Sequence, residues 1–486
     1  MITHNRKMLF RVLEWVGIKE KSRHIGSLLE NIILLMITTF WFSSIPVAFL
    51  TLIRFLKNRN VFVEKDLQRV PNDPVIIFQI TTRSATKTAV VKRGINSIID
   101  SCFKIKYYDY MISVVSDDLE DITTLSCFSD NCEIVVVDKK FVTYAIKKGR
   151  ALQYAVEYRR KFGKNTPKYW IFHMDDESYV TSQTILSLLK FIRESNAIAS
   201  EGPIFYPLKF ESANFLTAIA ESVRPFTCYD CVSQMTNPPP LHMHGSNLLV
   251  RSDIEDSIGW NFGPTLAEDQ FFGYKVYEKY GPKSLGWHGG ILLEQPPLNI
   301  KDHFMQRRRW VLGSLQNISN FPLLHKFKMM FKLVTYFFGF VSGVASTILY
   351  IYTQVPKLLM LNEINQSVNP DPTQWIDKLV NIFSSQSIVH TLANGSPIEV
   401  GIGAMLLFTS IMWLLSYQVG LFLNLQYSKI GWPKKIFFHL QALVLCLVIG
   451  LIETFPAFWA MIEYSIKNKF NKTKSTQIYD FYVINK

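Results

Sequence analysis

Tyr169-Trp170-Ile171-Phe172-His173-Met174-Asp175-Asp176-Glu177 is the stretch on which the fold turns. Its first six residues are bulky and mostly apolar, the length and composition of a buried strand. The run ends on three consecutive acids, which place a polar edge at the strand's carboxyl end. Runs of the same kind lie at Val75 to Ile80, Met111 to Val115, Glu133 to Val137 and, later, Asn247 to Val250. Helical patterns fall between them at Lys87 to Cys102, Ile146 to Arg159 and Thr181 to Glu194. Strands alternating with helices predict an α/β domain with a mostly parallel sheet covered on both faces. Ligands of such sheets bind beyond the carboxyl ends of the strands. Polar residues stand there three times: Thr81-Thr82-Arg83, Asp117-Asp118 and Asp175-Asp176-Glu177.

Outward from this domain the chain changes character. Its 486 residues are too many for one ordinary soluble domain, and the 48% that are hydrophobic crowd toward the ends. Residues 71–322 read as the soluble α/β domain. Residues 26–56 read as an N-terminal transmembrane anchor, or as a hairpin broken at Pro46; the length and the lack of a small-residue cleavage site argue against a signal peptide. Residues 333–465 read as a C-terminal transmembrane region, because Leu333 to Val355, Ile402 to Leu423 and Phe437 to Ile462 each reach the roughly 20 apolar residues that span a bilayer. Residues 1–25 form a basic amphipathic segment with Met8, Leu9, Val12, Leu13, Trp15 and Val16 on one face. Residues 323–332 form a second interfacial helix, and 466–486 a basic tail. The net charge of +13 gathers beside these apolar segments, which suits anionic lipid headgroups. No basic-aromatic interleaving or reading motif points to nucleic acid. Simple spans would leave both basic ends outside, whereas hairpins at Pro46 and near Glu453-Pro456 would bring both inside. Both topologies stay open, and the loop from Leu361 to Glu399 is the candidate outer face.

Several classes fall away. No Gly-x-Gly-x-x-Gly follows the first strand and no Walker-type loop is present, against a dinucleotide enzyme or a nucleoside triphosphatase. Six cysteines form no dense framework, consistent with a reducing compartment. Cys228 and Cys231, followed by His242 and His244, have part of a zinc spacing. The histidines of zinc pairs are usually three to five residues apart, so the plain reading is a loop with two free thiols.

Three signatures carry chemistry. Asp175 and Glu177, two apart at a strand end, offer oxygen donors of the kind Mg²⁺ or Mn²⁺ takes, while a helix N-terminus accounts for the same acids equally well. Glu268-Asp269 can supply a carboxylate base, with Asp269 the candidate, although acids opening a helix are also common caps. Gln306-Arg307-Arg308-Arg309-Trp310 combines bidentate phosphate donors with a flat aromatic face, beyond what a juxtamembrane basic cluster requires. Lys148 and Arg150 are two further cations for a nucleotide, or else a solvated helix face. The reaction these parts suit is transfer from a nucleoside diphosphate sugar, whose leaving diphosphate must be met by a metal or fixed cations.

In this order the residues resemble family 2 glycosyltransferases of the cellulose and hyaluronan synthase type. The nearer resemblance is to the egghead branch, β-1,4-mannosyltransferases acting on glycolipid. It rests on Thr81-Thr82-Arg83, Asp117, Lys148-Gly149-Arg150-Ala151-Leu152-Gln153-Tyr154, His173-Met174-Asp175-Asp176-Glu177, Ala267-Glu268-Asp269-Gln270-Phe271-Phe272 and Gln306-Arg307-Arg308-Arg309-Trp310. The resemblance implies a GT-A fold, inversion at the anomeric carbon and a cytosolic active site on an integral membrane protein, in the plasma membrane of a prokaryote or the ER and Golgi of a eukaryote. It implies Asp269 and Glu268 as catalytic residues, with Glu268 and Trp310 toward the acceptor. Thr82, Arg83, Asp117, Lys148, Arg150, Asp175, Gln306 and Arg309 would hold the nucleotide sugar, and Asp175 and Glu177 the metal. The expected donor is GDP-mannose and the expected acceptor lipid-linked. A processive polysaccharide synthase is the alternative, and a transporter or receptor the alternative of another class. Acceptor identity and oligomeric state are left open.

Overall fold

The computed structural model describes residues 49–58, 73–83, 88–117, 131–236, 240–335, 337–341, 344 and 397–470. Two units emerge, one of Leu50–Val334 with Leu414–Lys486 and one of Met1–Phe49 with Thr335–Trp413. The expected N-terminal segments 1–25 and 26–48, most of Leu333 to Val355, the loop before residue 397 and the tail after 470 lie outside the described residues.

The first unit is built in chain order from β1 (Val75–Thr82), α1 (Thr88–Lys104), β2 (Tyr110–Ser116), β3 (Cys132–Val136), α2 (Lys147–Lys161), β4 (Tyr169–Asp175), α3 (Ser182–Glu194), β5 (Ala199–Glu201), β6 (Ile204–Phe205), α4 (Phe215–Glu221), β7 (Leu248–Arg251), α5 (Ser252–Ile258), α6 (Glu268–Tyr280), β8 (Leu285–Trp287), β9 (Leu292–Leu293) and α7 (Ile300–Asn317). Two long helices follow, α8 (Pro397–Gln426) and α9 (Trp432–Phe470). Seven strands form one sheet in the order β3-β2-β1-β4-β7-β5-β8, and β6 pairs with β9 beside it. Strands β1 to β4 are parallel, as is β5 with β8, and β7 alone runs antiparallel to its neighbours. This is the α/β, GT-A-like architecture expected, with its strands within two residues of the expected positions. Strands β5, β6, β8 and β9 were not anticipated, since two or three residues carry no periodicity.

The alternation of β4 explains the layering. Trp170, Phe172 and Met174 join Val91, Ile95, Ile185 and Leu188 on the α1 and α3 side. Ile171 joins Leu152 and Val156 of α2 and Phe272 and Val276 of α6 on the other. A strand buried on both faces reads as a continuous apolar run, which is what β4 is. His173 interrupts the run and is buried with it. Its Nε2 lies 3.1 Å from Glu255, whose carboxylate also accepts from Trp260 Nε1 at 2.7 Å and from the fully buried Arg159.

Strand order also sets the site. β2 and β3 lie on one side of β1 and β4 on the other, so the chain reverses direction across the sheet between β1 and β4. Register aligns Thr81 with Asp175 on one flank and Thr82 with Ser116 on the other. The polar ends of three strands therefore stand in a row at the switch point, where such sheets bind ligands.

Among the described residues no single helix is long and apolar enough to cross a membrane, but one bent pair, Trp432–Leu445 with Val448–Lys467, passes by length and composition. The pair turns by 64° between its halves. Pro456, at one of the hairpin positions left open above, lies inside α9. Arg307 grips Glu453 at 3.0 and 3.1 Å and Arg308 grips Glu463 at 2.6 Å, fastening α9 on both sides of Pro456. Residues 323–335 are helical. Met329 and Leu333 pack against Phe271 and Tyr274, while Leu323, Leu324, Phe327 and Phe331 are exposed at helical spacing.

Candidate active site

A cavity of about 260 Å³ opens at the switch point and gathers residues from almost every signature. Thr82, Arg83, Asp117, Lys148, Asp175, Glu177, Glu268, Asp269, Gln306, Arg309 and Trp310 all line it. Arg150 does not; it stands behind, donating to Asp117 at 3.2 Å and to the Asp138 carbonyl at 2.6 Å.

Asp175 is the last residue of β4, and the chain turns at once, with Ser178 N–H donating back to the Asp175 carbonyl at 3.1 Å. Asp175 and Glu177, two apart at the strand end, are thus separated by a turn. Oxygens of Asp175, Glu177 and Glu294 nevertheless all lie within 4.8 Å of one another. The Asp175 backbone N–H is aimed at Ser178 Oγ and Ser246 Oγ at 3.2 and 3.3 Å, and Ser178 Oγ donates to Glu294 at 3.1 Å. Three clustered carboxylates are an oxygen-only donor set of the kind hard divalent cations take. Glu294 was missed from sequence. Its signal was an isolated acid directly after an apolar pair, Leu292-Leu293, which forms β9.

Lys148, near the start of α2, crosses to this cluster. Its ammonium pairs with Asp175 and donates to the Gly245 carbonyl at 2.9 Å. Burial works against its charge, but Asp175 and Glu268 raise its pKa above the usual lysine value.

Glu268 and Asp269 open α6, and no side chain caps the helix at Ala267. Asp269 Oδ1 accepts from the backbone N–H of Gln270 at 2.8 Å. Burial and then the charge of Asp269 push the Glu268 carboxyl up to about 7, against Lys148 and Arg309. Burial also raises Asp269, opposed mainly by Lys148. A carboxylate pair tuned toward neutrality is suited to proton transfer. Gly245 faces it so closely that a β-carbon there would stand 2.7 Å from Asp269 Oδ2.

On α7 the three arginines point in three directions, as steps of about 100° per residue require. Arg309 faces the cavity. Arg307 is drawn to Glu453 and to Glu221 at 2.9 Å, and Arg308 to Glu463. Against burial, Arg307 holds the Glu221 carboxyl well below its ordinary range. The guanidinium carbons of Arg224 and Arg307 each lie 4.5 Å from the Trp310 ring centroid. The indole is thus engaged by protein cations while it lines the cavity. Arg224 also lines the cavity and was missed, since nothing around Val223-Arg224-Pro225 marks it in sequence.

A family model described as glycosyl transferase family group 2 matches residues 170–461, more than half of the chain. The chain belongs to that family. The family group 2 match runs from β4 into α9 and so includes the three carboxylates, the Glu268–Asp269 pair and α7, while Thr82, Arg83, Asp117, Lys148 and Arg150 precede it. Curated relatives include the β-1,4-mannosyltransferase bre-3 of Caenorhabditis elegans, 27% identical over 55% of this chain and 59% of the worm protein. The β-1,4-mannosyltransferase egh of Drosophila melanogaster is 23% identical over 54% of this chain and 57% of its own length. The chain thus spans under two thirds of the length of these relatives. Among solved structures, a Pyrobaculum calidifontis mannosyltransferase, PcManGT in complex with GDP-Man and Mn²⁺, aligns over 79% of this chain and 98% of its own, with a TM-score of 0.42 and 10% identity.

Proposed function

We propose that this family group 2 member is an inverting mannosyltransferase that moves one mannose from GDP-mannose to a lipid-linked acceptor. The observation that carries the reading is the meeting, in one cavity, of the Asp175–Glu177–Glu294 cluster with the neutral-tuned Glu268–Asp269 pair, Lys148 lying between them. Mannose is favoured because both curated relatives carry β-1,4-mannosyltransferase names. A lipid-linked acceptor is favoured by the exposed apolar residues of the 323–335 helix and of α9, including Phe437, Leu440 and Val444.

In this reading Thr82, Arg83 and Asp117 take the nucleoside side, with Arg150 orienting Asp117. Asp175, Glu177 and Glu294 would hold Mg²⁺ or Mn²⁺, which when bound neutralises charge on the departing diphosphate. Lys148, Gln306 and Arg309 meet the same charge as fixed donors. Asp269 accepts the proton of the acceptor hydroxyl. The freed oxygen bonds to the anomeric carbon as the bond from that carbon to the phosphate oxygen breaks, and nucleoside diphosphate leaves. Attack opposite the leaving group converts an α-linked donor into a β-linked product. Glu268 stands beside the base, and Trp310 gives the acceptor sugar an apolar edge.

The test is a panel of labelled nucleotide sugars supplied to the purified protein with membrane lipid, followed by sizing of the product. One added hexose from GDP-mannose is expected. A ladder of oligomers would mean processive synthesis, and transfer from another nucleotide sugar would remove the donor assignment.

A further inference from the structure

Beside the cavity, and separate from its carboxylate cluster, four side chains from three segments converge with no role in the transfer. Glu201 ends β5, Cys231 opens the short helix Cys231–Thr236, and His242 and His244 precede β7. One donor atom from each lies within 4.8 Å of all the others. Cys231 Sγ is 3.8 Å from His242 Nδ1 and 3.9 Å from His244 Nε2, and Cys228 Sγ adds a fifth donor atom 4.0 Å from His244 Nε2. Tetrahedral zinc with ordinary bond lengths separates sulfur from nitrogen by about 3.6 Å. The two Cys231–histidine edges are therefore those of a zinc tetrahedron opened by a few tenths of an ångström.

The surroundings favour coordination. Gly202 O can only accept, so His244 Nδ1, 3.2 Å from it, carries the ring proton, and Nε2 presents a lone pair to the cluster. A carbonyl that fixes the tautomer of a ligating histidine is a recurrent support of metal sites. Glu201 is fully buried; its Oε2 accepts from the His244 backbone N–H at 2.9 Å, and its Oε1 has no nitrogen or oxygen donor on it among the described residues. Both cysteines are free thiols, so no disulfide occupies their sulfurs. His242 and His244 line the cavity, which gives an ion a route in.

We propose that Glu201, Cys231, His242 and His244 bind one zinc ion, distinct in place and in chemistry from the oxygen-only cluster of Asp175, Glu177 and Glu294. Sulfur and imidazole donors select zinc over Mg²⁺ or Mn²⁺. The ion joins the 228–231 turn to the segment leading into β7. That segment supplies the Gly245 carbonyl to Lys148 and the Ser246 hydroxyl to the Asp175 N–H, so the zinc holds two supports of the donor site in place.

The experiment is elemental analysis of the full-length protein purified without chelator, followed by cobalt substitution. The expected result is one zinc per chain, retained in Asp175→Asn and lost in Cys231→Ser and His242→Ala. The cobalt form should show tetrahedral d–d bands and a thiolate-to-cobalt charge-transfer band. This spectrum reads the wild type, so it stands even if a variant fails to fold. Substoichiometric zinc, a cobalt spectrum without the thiolate band, or a Cys228–Cys231 disulfide in the native protein overturns the proposal. Sugar transfer is measured separately: zinc without transfer would sink the mannosyltransferase reading alone, and transfer without zinc would sink this one alone.

Discussion

Gly245→Ala separates the position of the proposed base from its chemistry. Gly245 is absent from the positive-φ glycines, so alanine suits its backbone. Its new β-carbon would stand 2.7 Å from Asp269 Oδ2 and 3.3 Å from Lys148 Nζ, where ordinary contact begins at 3.4 Å. Asp269 Oδ2 must therefore retreat by about 0.7 Å and Lys148 by about 0.1 Å. Both atoms end flexible side chains, and an off-rotamer torsion costs only about 0.5–1.5 kcal/mol. The fold should absorb that with a melting shift of at most ~5 °C. Catalysis should not, because misplacing a reacting group by about 1 Å can cost roughly 100-fold in rate. We expect turnover to fall about 10- to 100-fold with donor affinity nearly unchanged, measured by initial rates with labelled GDP-mannose and by titration calorimetry. In an Asp269→Asn background the alanine should add little further loss, since the base it displaces is already gone. Turnover within twofold of wild type would refute the argument that the placement of Asp269 governs the reaction.

Asp269→Asn should abolish transfer and keep nucleotide-sugar binding; full activity would refute the base assignment. The transfer rate should fall on acidification, because Asp269 must be ionised to act as base and burial raises its carboxyl above the ordinary aspartate range. Glu268, pushed up to about 7, stays protonated while Asp269 ionises, so Glu268→Gln should leave that acid limb in place, and a pH–rate profile whose limb moves would count against Asp269 as the base. Glu255→Ala leaves the Arg159 guanidinium buried without its carboxylate and should destabilise the fold by about 3–5 kcal/mol in chemical denaturation. In wild type, Arg159 overcomes burial and holds the Glu255 carboxyl down to about 2, below its unfolded value. The stability it contributes is therefore present above the unfolded pKa and lost as pH falls toward 2, a loss that Glu255→Ala should not show. Trp310→Ala should weaken acceptor use more than donor hydrolysis, and equal loss of both would remove its contact with the acceptor.

The strands were legible because a buried parallel sheet writes itself as apolar runs with polar ends, and Thr82, Asp117 and Asp175 mark three such ends. The order of Lys148, Asp175, Asp269 and Arg309 was legible as a motif, and folding brings all four to one cavity. Glu294 was not, because a single acid after two leucines has no spacing to read; only the pairing of β6 with β9 and the bridge from Tyr179 to Leu293 carry it beside Asp175. The Cys228–Cys231 and His242–His244 pairs looked mismatched because the usual histidine spacing belongs to one helix face. These histidines instead share a segment entering β7, where residues two apart can converge.

The run Gln306 to Trp310 shows why composition overstates a site. Read along the chain, three arginines beside a tryptophan suggest a phosphate cradle. Read around a helix, Arg309 lines the cavity, whereas Glu221, Glu453 and Glu463 hold the guanidinium groups of Arg307 and Arg308. Those two contacts have a function of their own. Removing one partner of a buried ion pair costs about 3–5 kcal/mol, so α7 is held firmly against α9. Arg307 then stacks on Trp310 from that fixed position. The aromatic edge of the cavity is set by the apolar helix behind it, which makes α9 part of the proposed acceptor geometry as well as a candidate contact with lipid.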